Sequence, residues 1–109
     1  MEINLTNEQK QRLAKSQGIL GQERALSFLL DELHWAAIDC FQMYRKGPSC
    51  DSGTKARVVE RLADLRVKVE MLQMSDWVAS EPLNAAVEAS IADIEVAAAE
   101  RLKRNARRS

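Results

Sequence analysis

Proline and glycine are scarce in this chain, at two and four residues among 109. Alanine, leucine, glutamate, arginine and lysine are plentiful instead, a balance that favours helix. No segment reads as a β-strand. Long apolar runs are missing too, because every apolar stretch is short and interrupted by charge, and this excludes a transmembrane helix. The N-terminus, Met1-Glu2-Ile3-Asn4, lacks the basic-then-apolar shape of a signal peptide. Neither sign of charge dominates, since Lys+Arg and Asp+Glu are 16 each, so net charge names no partner. The two cysteines, Cys40 and Cys50, have no CxxC spacing. They read as free thiols of a cytoplasmic protein, Cys40 packed in a helix and Cys50 in a loop.

A length of 109 residues with 46% apolar content suits one soluble domain with a thin core. Four helical segments are expected, at about 6–17, 21–46, 54–75 and 81–105. Thr6-Asn7-Glu8-Gln9 has the form of a capping box, with Thr6 as N-cap. Gly18 suits the C′ position that ends this first helix. In the second segment Leu26, Leu29, Leu30, Leu33, Ala37, Cys40, Phe41 and Tyr44 recur at steps of three and four, marking one helix face. Gly47-Pro48-Ser49-Cys50-Asp51-Ser52-Gly53 is a loop, and Thr54 is the expected N-cap beyond it. Val58, Leu62, Leu65, Val69 and Leu72 follow the 4-3-4-3 spacing of a helix packed at coiled-coil angles. Ser80-Glu81-Pro82 opens the fourth segment with Pro in its first turn. Leu83, Val87, Ile91, Ile94, Ala98 and Leu102 form its stripe.

The short loop between segments two and three favours an antiparallel pair. Apolar side chains also lie off the main stripes, among them Phe28, Ile38, Met43, Val59, Val67, Met71, Met74 and Trp77. Widened apolar faces on helices call for a partner helix. The fold class expected is therefore all-α, an antiparallel helical bundle whose core is completed by homo-oligomerisation, as a dimer or tetramer.

Two acidic strings stand out: Leu29-Leu30-Asp31-Glu32-Leu33-His34-Trp35-Ala36, and Val59-Glu60-Arg61-Leu62-Ala63-Asp64-Leu65. They are joined through Tyr44-Arg45-Lys46-Gly47 and the loop. This order resembles the all-α nucleoside triphosphate pyrophosphohydrolases, the MazG-like group, and especially their small bacteriophage versions. That family's pattern is Glu-Glu-x-x-Glu on one helix, then a basic or aromatic helix end and a loop, then Glu-Glu-Leu-Ala-Asp on the next. The resemblance covers roughly residues 16–75. Carboxylates at i and i+3 share a helix face. Two such pairs on antiparallel helices hold Mg²⁺ through hard oxygen ligands. The metal bridges the triphosphate and helps activate water. The products the resemblance implies are a nucleoside monophosphate and pyrophosphate.

On that pattern Asp31 and Glu32 match the leading acidic pair, Glu60 the outer acid and Asp64 the final Asp. These four are the candidate metal ligands that remain. Trp35 and Arg61, however, stand at two of the four inner ligand positions, where the resemblance expects metal-binding Glu. An Arg at such a position places a permanent cation where Mg²⁺ would sit, and Lys68 adds another one turn beyond Asp64. Glu32 and Asp39, seven apart, share a face and can pair with Arg61 and Lys68 across the helix interface, replacing the metal by ion pairs that fix register. The function expected is thus a catalytically impaired, MazG-like binding or interaction protein. One alternative is an active enzyme using Mg²⁺ as cofactor on nucleoside triphosphates. Another is an unrelated helical interaction module whose basic tail, Arg101 to Arg108, contacts nucleic acid.

The other candidates each have a plain counterpart. Asp31 and His34 form a shifted ligand pair, but two ligands do not make a site and a lone His on a helix is usually structural. Trp35 can stack on a base, and is better read as an apolar plug or an interface anchor. Arg45 and Lys46 can meet phosphates or simply complement the helix C-terminal dipole. The tail lacks an aromatic platform and a DNA-binding motif, so nucleic acid is not the expected partner. A nucleotide or a host or viral protein fits the resemblance better, and no membrane is expected.

Overall fold

The computed structural model describes residues 4–108. Among them are four α-helices and no strand: α1 (Asn7–Leu20), α2 (Gln22–Lys46), α3 (Ser52–Gln73) and α4 (Ser80–Arg108). A short 3₁₀ turn, Gly47–Ser49, lies within the connection from α2 to α3. No helix is long and apolar enough to cross a membrane. The chain divides into two compact units, one ending at Trp77 and the other starting at Val78.

In the first unit α1 begins as its sequence dictates. The Thr6 hydroxyl accepts from Gln9 N at 3.1 Å, and Thr6 N donates to Gln9 Oε1 at 2.9 Å, so two otherwise unpaired donors are satisfied reciprocally. The helix does not stop at Gly18. It continues to Leu20 and ends at Gly21, whose N–H donates to Gln17 O. Gly21 has φ +87°, a conformation that glycine adopts without a Cβ clash. A glycine inside a helix costs only about 1 kcal/mol, so Gly18 is carried through and the stop falls at Gly21, where φ turns positive.

Helices α2 and α3 form the packed centre. Their contacts run in opposite senses: Lys46 meets Asp51 and Thr54 at one end, and Gln22 meets Asp76 at the other. The pair is therefore antiparallel. Asp51, not Thr54, caps α3, its carboxylate accepting from Thr54 N at 3.0 Å. A carboxylate at the N-cap also complements the positive end of the helix, which favours it over the hydroxyl three residues later. Thr54 is instead fully buried.

The buried side of α2 is not its leucine stripe. Ala25, Glu32 and Ala36 are the buried residues of this helix. Leu26, Leu30, Leu33, Phe41 and Tyr44 lie open, Leu30 at 60% and Tyr44 at 85% exposure. On α3 the buried residues are Thr54, Val58 and Met71, while Leu62 is exposed. The interior side of the pair is thus small and partly polar. Small residues let two helix backbones approach, and the acids on that side are neutralised across the interface. Cys40 departs from the expectation that it is packed. Cys40 shares the open stripe and is exposed, whereas Cys50 is buried although it lies in the connection.

The second unit is α4 with its short lead-in. Pro82 sits in the first helical turn, where a missing N–H costs nothing. Taken by itself α4 has no buried residue.

Candidate functional site

The sequence-level candidates gather around one guanidinium. Arg61 is carried by the middle of α3 and reaches α2. Its Nε donates to Asp39 Oδ2 at 2.9 Å, and its Nη1 lies 3.7 Å from Glu32 Oε1. Asp39 also faces Arg57, one turn earlier on α3, with Nε 3.7 Å from Oδ1. Glu32 and Asp39 are seven apart, two helical turns, so both present carboxylates to the same side. Arg57 and Arg61 are four apart and do the same from α3. The hydrogen bond it donates to Asp39, reinforced by the charges of Glu32 and Asp64, holds Arg61 charged to still higher pH than usual. Glu32 is 7% exposed, and its Oε1 has no hydrogen-bond partner. That oxygen is satisfied only by the longer-range charge of Arg61.

Trp35 completes the group from above. The Arg61 Cζ sits 5.7 Å from its ring centroid, a cation–π distance, and His34 packs edge-on to the same ring at 5.3 Å. Trp35 is 51% exposed, so it is no buried plug. It covers the guanidinium and leaves its outer face open.

The remaining candidates are dispersed. Asp31, Glu60 and Asp64 are exposed, while Glu32 is buried. Among the described residues no group of three or more His, Cys, Asp or Glu is placed to hold a metal ion. The donor set does not suit Mg²⁺, which demands six oxygen ligands in near-octahedral array, whereas here a guanidinium lies between the two interior carboxylates. Lys68 is half-buried but makes no ion pair among the described residues, so Arg57 rather than Lys68 is the second cation of the cluster. Spacing places Arg57, one turn before Arg61, on the same face but does not choose it over Lys68, two turns beyond.

Arg45 and Lys46 are tied locally. Arg45 donates to Gln42 Oε1 at 3.0 Å. The Lys46 ammonium donates to Asp51 Oδ1 at 2.8 Å and to Thr54 Oγ1 at 2.9 Å. Asp51 is held well below the usual carboxylate range, first by Lys46 and then by the Thr54 hydroxyl and N–H. A carboxylate already fills the anionic place between Lys46 and the start of α3, so Lys46, Asp51 and Thr54 form a latch closing the α2–α3 connection. The sequence signal for Asp51 was its position three residues before a helical N–H.

Comparison with known proteins identifies no relative: no family model, no curated protein and no solved structure matches the chain.

Proposed function

We propose that this chain is a self-associating helical interaction protein in which Arg61 takes the place a divalent metal would have in a MazG-like pyrophosphohydrolase, leaving nucleotide hydrolysis impaired. The observation that carries the reading is the 2.9 Å Arg61–Asp39 hydrogen bond beside the buried Glu32. A permanent cation there occupies the acidic side of α2 and repels a second cation. The resemblance supplies the scaffold by analogy of motif order alone.

The surface offered to partners is the outer seam of α2. Leu26, Leu30, Leu33, Ala37, Cys40 and Tyr44 are exposed and step by 4-3-4-3-4, the spacing that keeps a seam facing a second helix in a left-handed coil. With Phe41 beside them at 59% exposure, these side chains form a face of the kind that marks an interaction site. A second copy of the chain, in a dimer or tetramer, is the proposed occupant, and a host or viral protein is the alternative.

The test is a screen of all deoxynucleoside and nucleoside triphosphates with Mg²⁺ and Mn²⁺, following pyrophosphate. The wild-type chain is expected to release none at enzymatic rates. The double variant Trp35→Glu plus Arg61→Glu restores acids at both altered positions and frees Glu32 Oε1, so any activity belongs to that variant alone. Mg²⁺-dependent turnover by the wild type, lost on Asp64→Ala, overturns the proposal in favour of an active enzyme.

A further inference from the structure

Helix α4 raises a separate question. It has 29 residues, about 43 Å at 1.5 Å per residue, and none of them is buried. Val87, Ile91, Ile94 and Leu102 are between 46% and 69% exposed. An isolated helix gains little from propensity alone, and most helical stability comes from packing an amphipathic face. Something is required to cover this one.

The face itself identifies the occupant. Its apolar residues, Leu83, Val87, Ile91, Ile94, Ala98 and Leu102, step by 4, 4, 3, 4 and 4. This series reads the same from either end, with its midpoint between Ala92 and Asp93. A twofold axis at that midpoint, perpendicular to the helix, lays the stripe onto itself. Leu83 then meets the partner's Leu102, Val87 the partner's Ala98, and Ile91 the partner's Ile94. Such self-complementarity is what an isologous interface requires.

Charge sets the orientation. The five acids of α4, Glu81, Glu88, Asp93, Glu95 and Glu100, all precede its five bases, Arg101, Lys103, Arg104, Arg107 and Arg108. A parallel pair sets five bases beside five bases. An antiparallel pair separates the two basic ends and sets each at the level of the partner's Glu81 end. We infer that α4 pairs antiparallel with α4 of a second copy of this chain, about an axis between Ala92 and Asp93. This interface goes beyond the α2 seam and does not depend on it. In an assembly of four that uses both isologous contacts, the loss of either one halves the mass.

The arrangement has one unfavourable contact, and it makes the inference testable. Glu88 and Glu95 lie seven apart on the same flank of the stripe, and in an antiparallel pair that flank meets its own copy. Glu88 therefore approaches the partner's Glu95, and the twofold repeats the contact. Glu95→Arg converts both like-charged contacts into opposite-charged ones. Contacts of this type across a helix pair are worth a few tenths of a kcal/mol each. The expected gain is about fivefold in the association constant at low salt. In a parallel pair the same flank meets Ser90 and Ala97 of the other flank, and Glu95→Arg gains nothing.

The experiment is light scattering and sedimentation equilibrium on the full chain, with circular dichroism to verify helix content. Ile91→Glu plus Ile94→Glu is expected to halve the wild-type mass with helicity retained, and Glu95→Arg to tighten association about fivefold. If Ile91→Glu plus Ile94→Glu leaves the mass unchanged, the inference is wrong. A fall in melting temperature in that case shows that the chain's own helices cover the stripe. If Glu95→Arg weakens association or leaves it unchanged, the antiparallel pairing is wrong. Leu30→Glu plus Phe41→Glu separates the two interfaces: mass lost there, with the α4 variants inert, sinks the α4 pairing while sparing the α2 seam.

Discussion

Two neighbouring alanines on α2 give a sharp test of which way that helix faces. Ala36 is 8% exposed and forms part of the interior side, whereas Ala37, the next residue, is exposed on the outer seam. Replacing each by leucine adds the same three carbons on two faces of α2 about 100° apart. At Ala36 the added carbons must enter the space between α2 and α3, where small residues set the helix separation. Overpacking of this kind costs about 1–3 kcal/mol. A domain of this size shifts by roughly 4–8 °C per kcal/mol, so Ala36→Leu is expected to lower the melting temperature by about 10 °C. Ala37→Leu enlarges the exposed seam and is expected to change stability by less than about 0.5 kcal/mol, or to raise it where self-association is strengthened. Thermal unfolding followed at 222 nm at matched concentrations measures both. If Ala37→Leu is the damaging change and Ala36→Leu is tolerated, α2 is rotated from the orientation described, and the Glu32–Arg61–Asp39 cluster cannot lie where it is placed.

Three other outcomes follow from the same geometry. Arg61→Met leaves Glu32 and Asp39 without their shared cation and is expected to destabilise the chain; Glu32→Gln plus Asp39→Asn in that background restores most of the loss, because an unpaired buried charge is worse than no charge. A double-mutant cycle from urea melts reads this, and additivity of the changes would show the three side chains to be uncoupled. The depressed Asp51 pKa gives a second test. A carboxylate whose folded pKa lies below its unfolded one adds stability that is fully present above the unfolded value, and loses it as pH falls through the folded value. The advantage of wild type over Asp51→Asn, which keeps a capping side chain, is therefore expected to be constant above about pH 5 and to shrink on acidification; an advantage that grows toward low pH would contradict the Lys46–Asp51 latch. Third, Thr6→Ala removes the α1 capping box at a cost of about 1 kcal/mol, which hydrogen exchange is expected to report as faster opening of α1 with α2 and α3 unchanged.

The helical segments were legible because scarce Gly and Pro leave few places to stop, and the α1 capping box is a purely local signal. Periodicity marks the most apolar stripe of α2 as one face but does not say which face turns inward, although burial usually follows hydrophobicity. The chain instead places Glu32 and Asp39 inside and Leu30 and Tyr44 outside. A one-dimensional pattern counts a carboxylate as polar wherever it stands, and registers neutralisation only when its partner on another helix is known. The pairing of Glu32 and Asp39 with Arg61 could be argued from spacing, because two turns on one helix and one guanidinium on the next are geometrically compatible. The choice of Arg57 over Lys68 could not, because it depends on how far α3 slides along α2. Thr54 failed as a cap for a related reason: Asp51 competes for the same N–H and wins through its charge and through Lys46.

The central claim is that the acidic side of α2 is already neutralised by the protein itself. Titration of the full chain with Mn²⁺, followed by paramagnetic relaxation of solvent water, measures this directly. No saturable site is expected in the wild type up to millimolar metal, and a saturable site is expected in the Trp35→Glu plus Arg61→Glu variant. A saturable wild-type site at micromolar Mn²⁺, abolished by Glu32→Gln, would contradict the account.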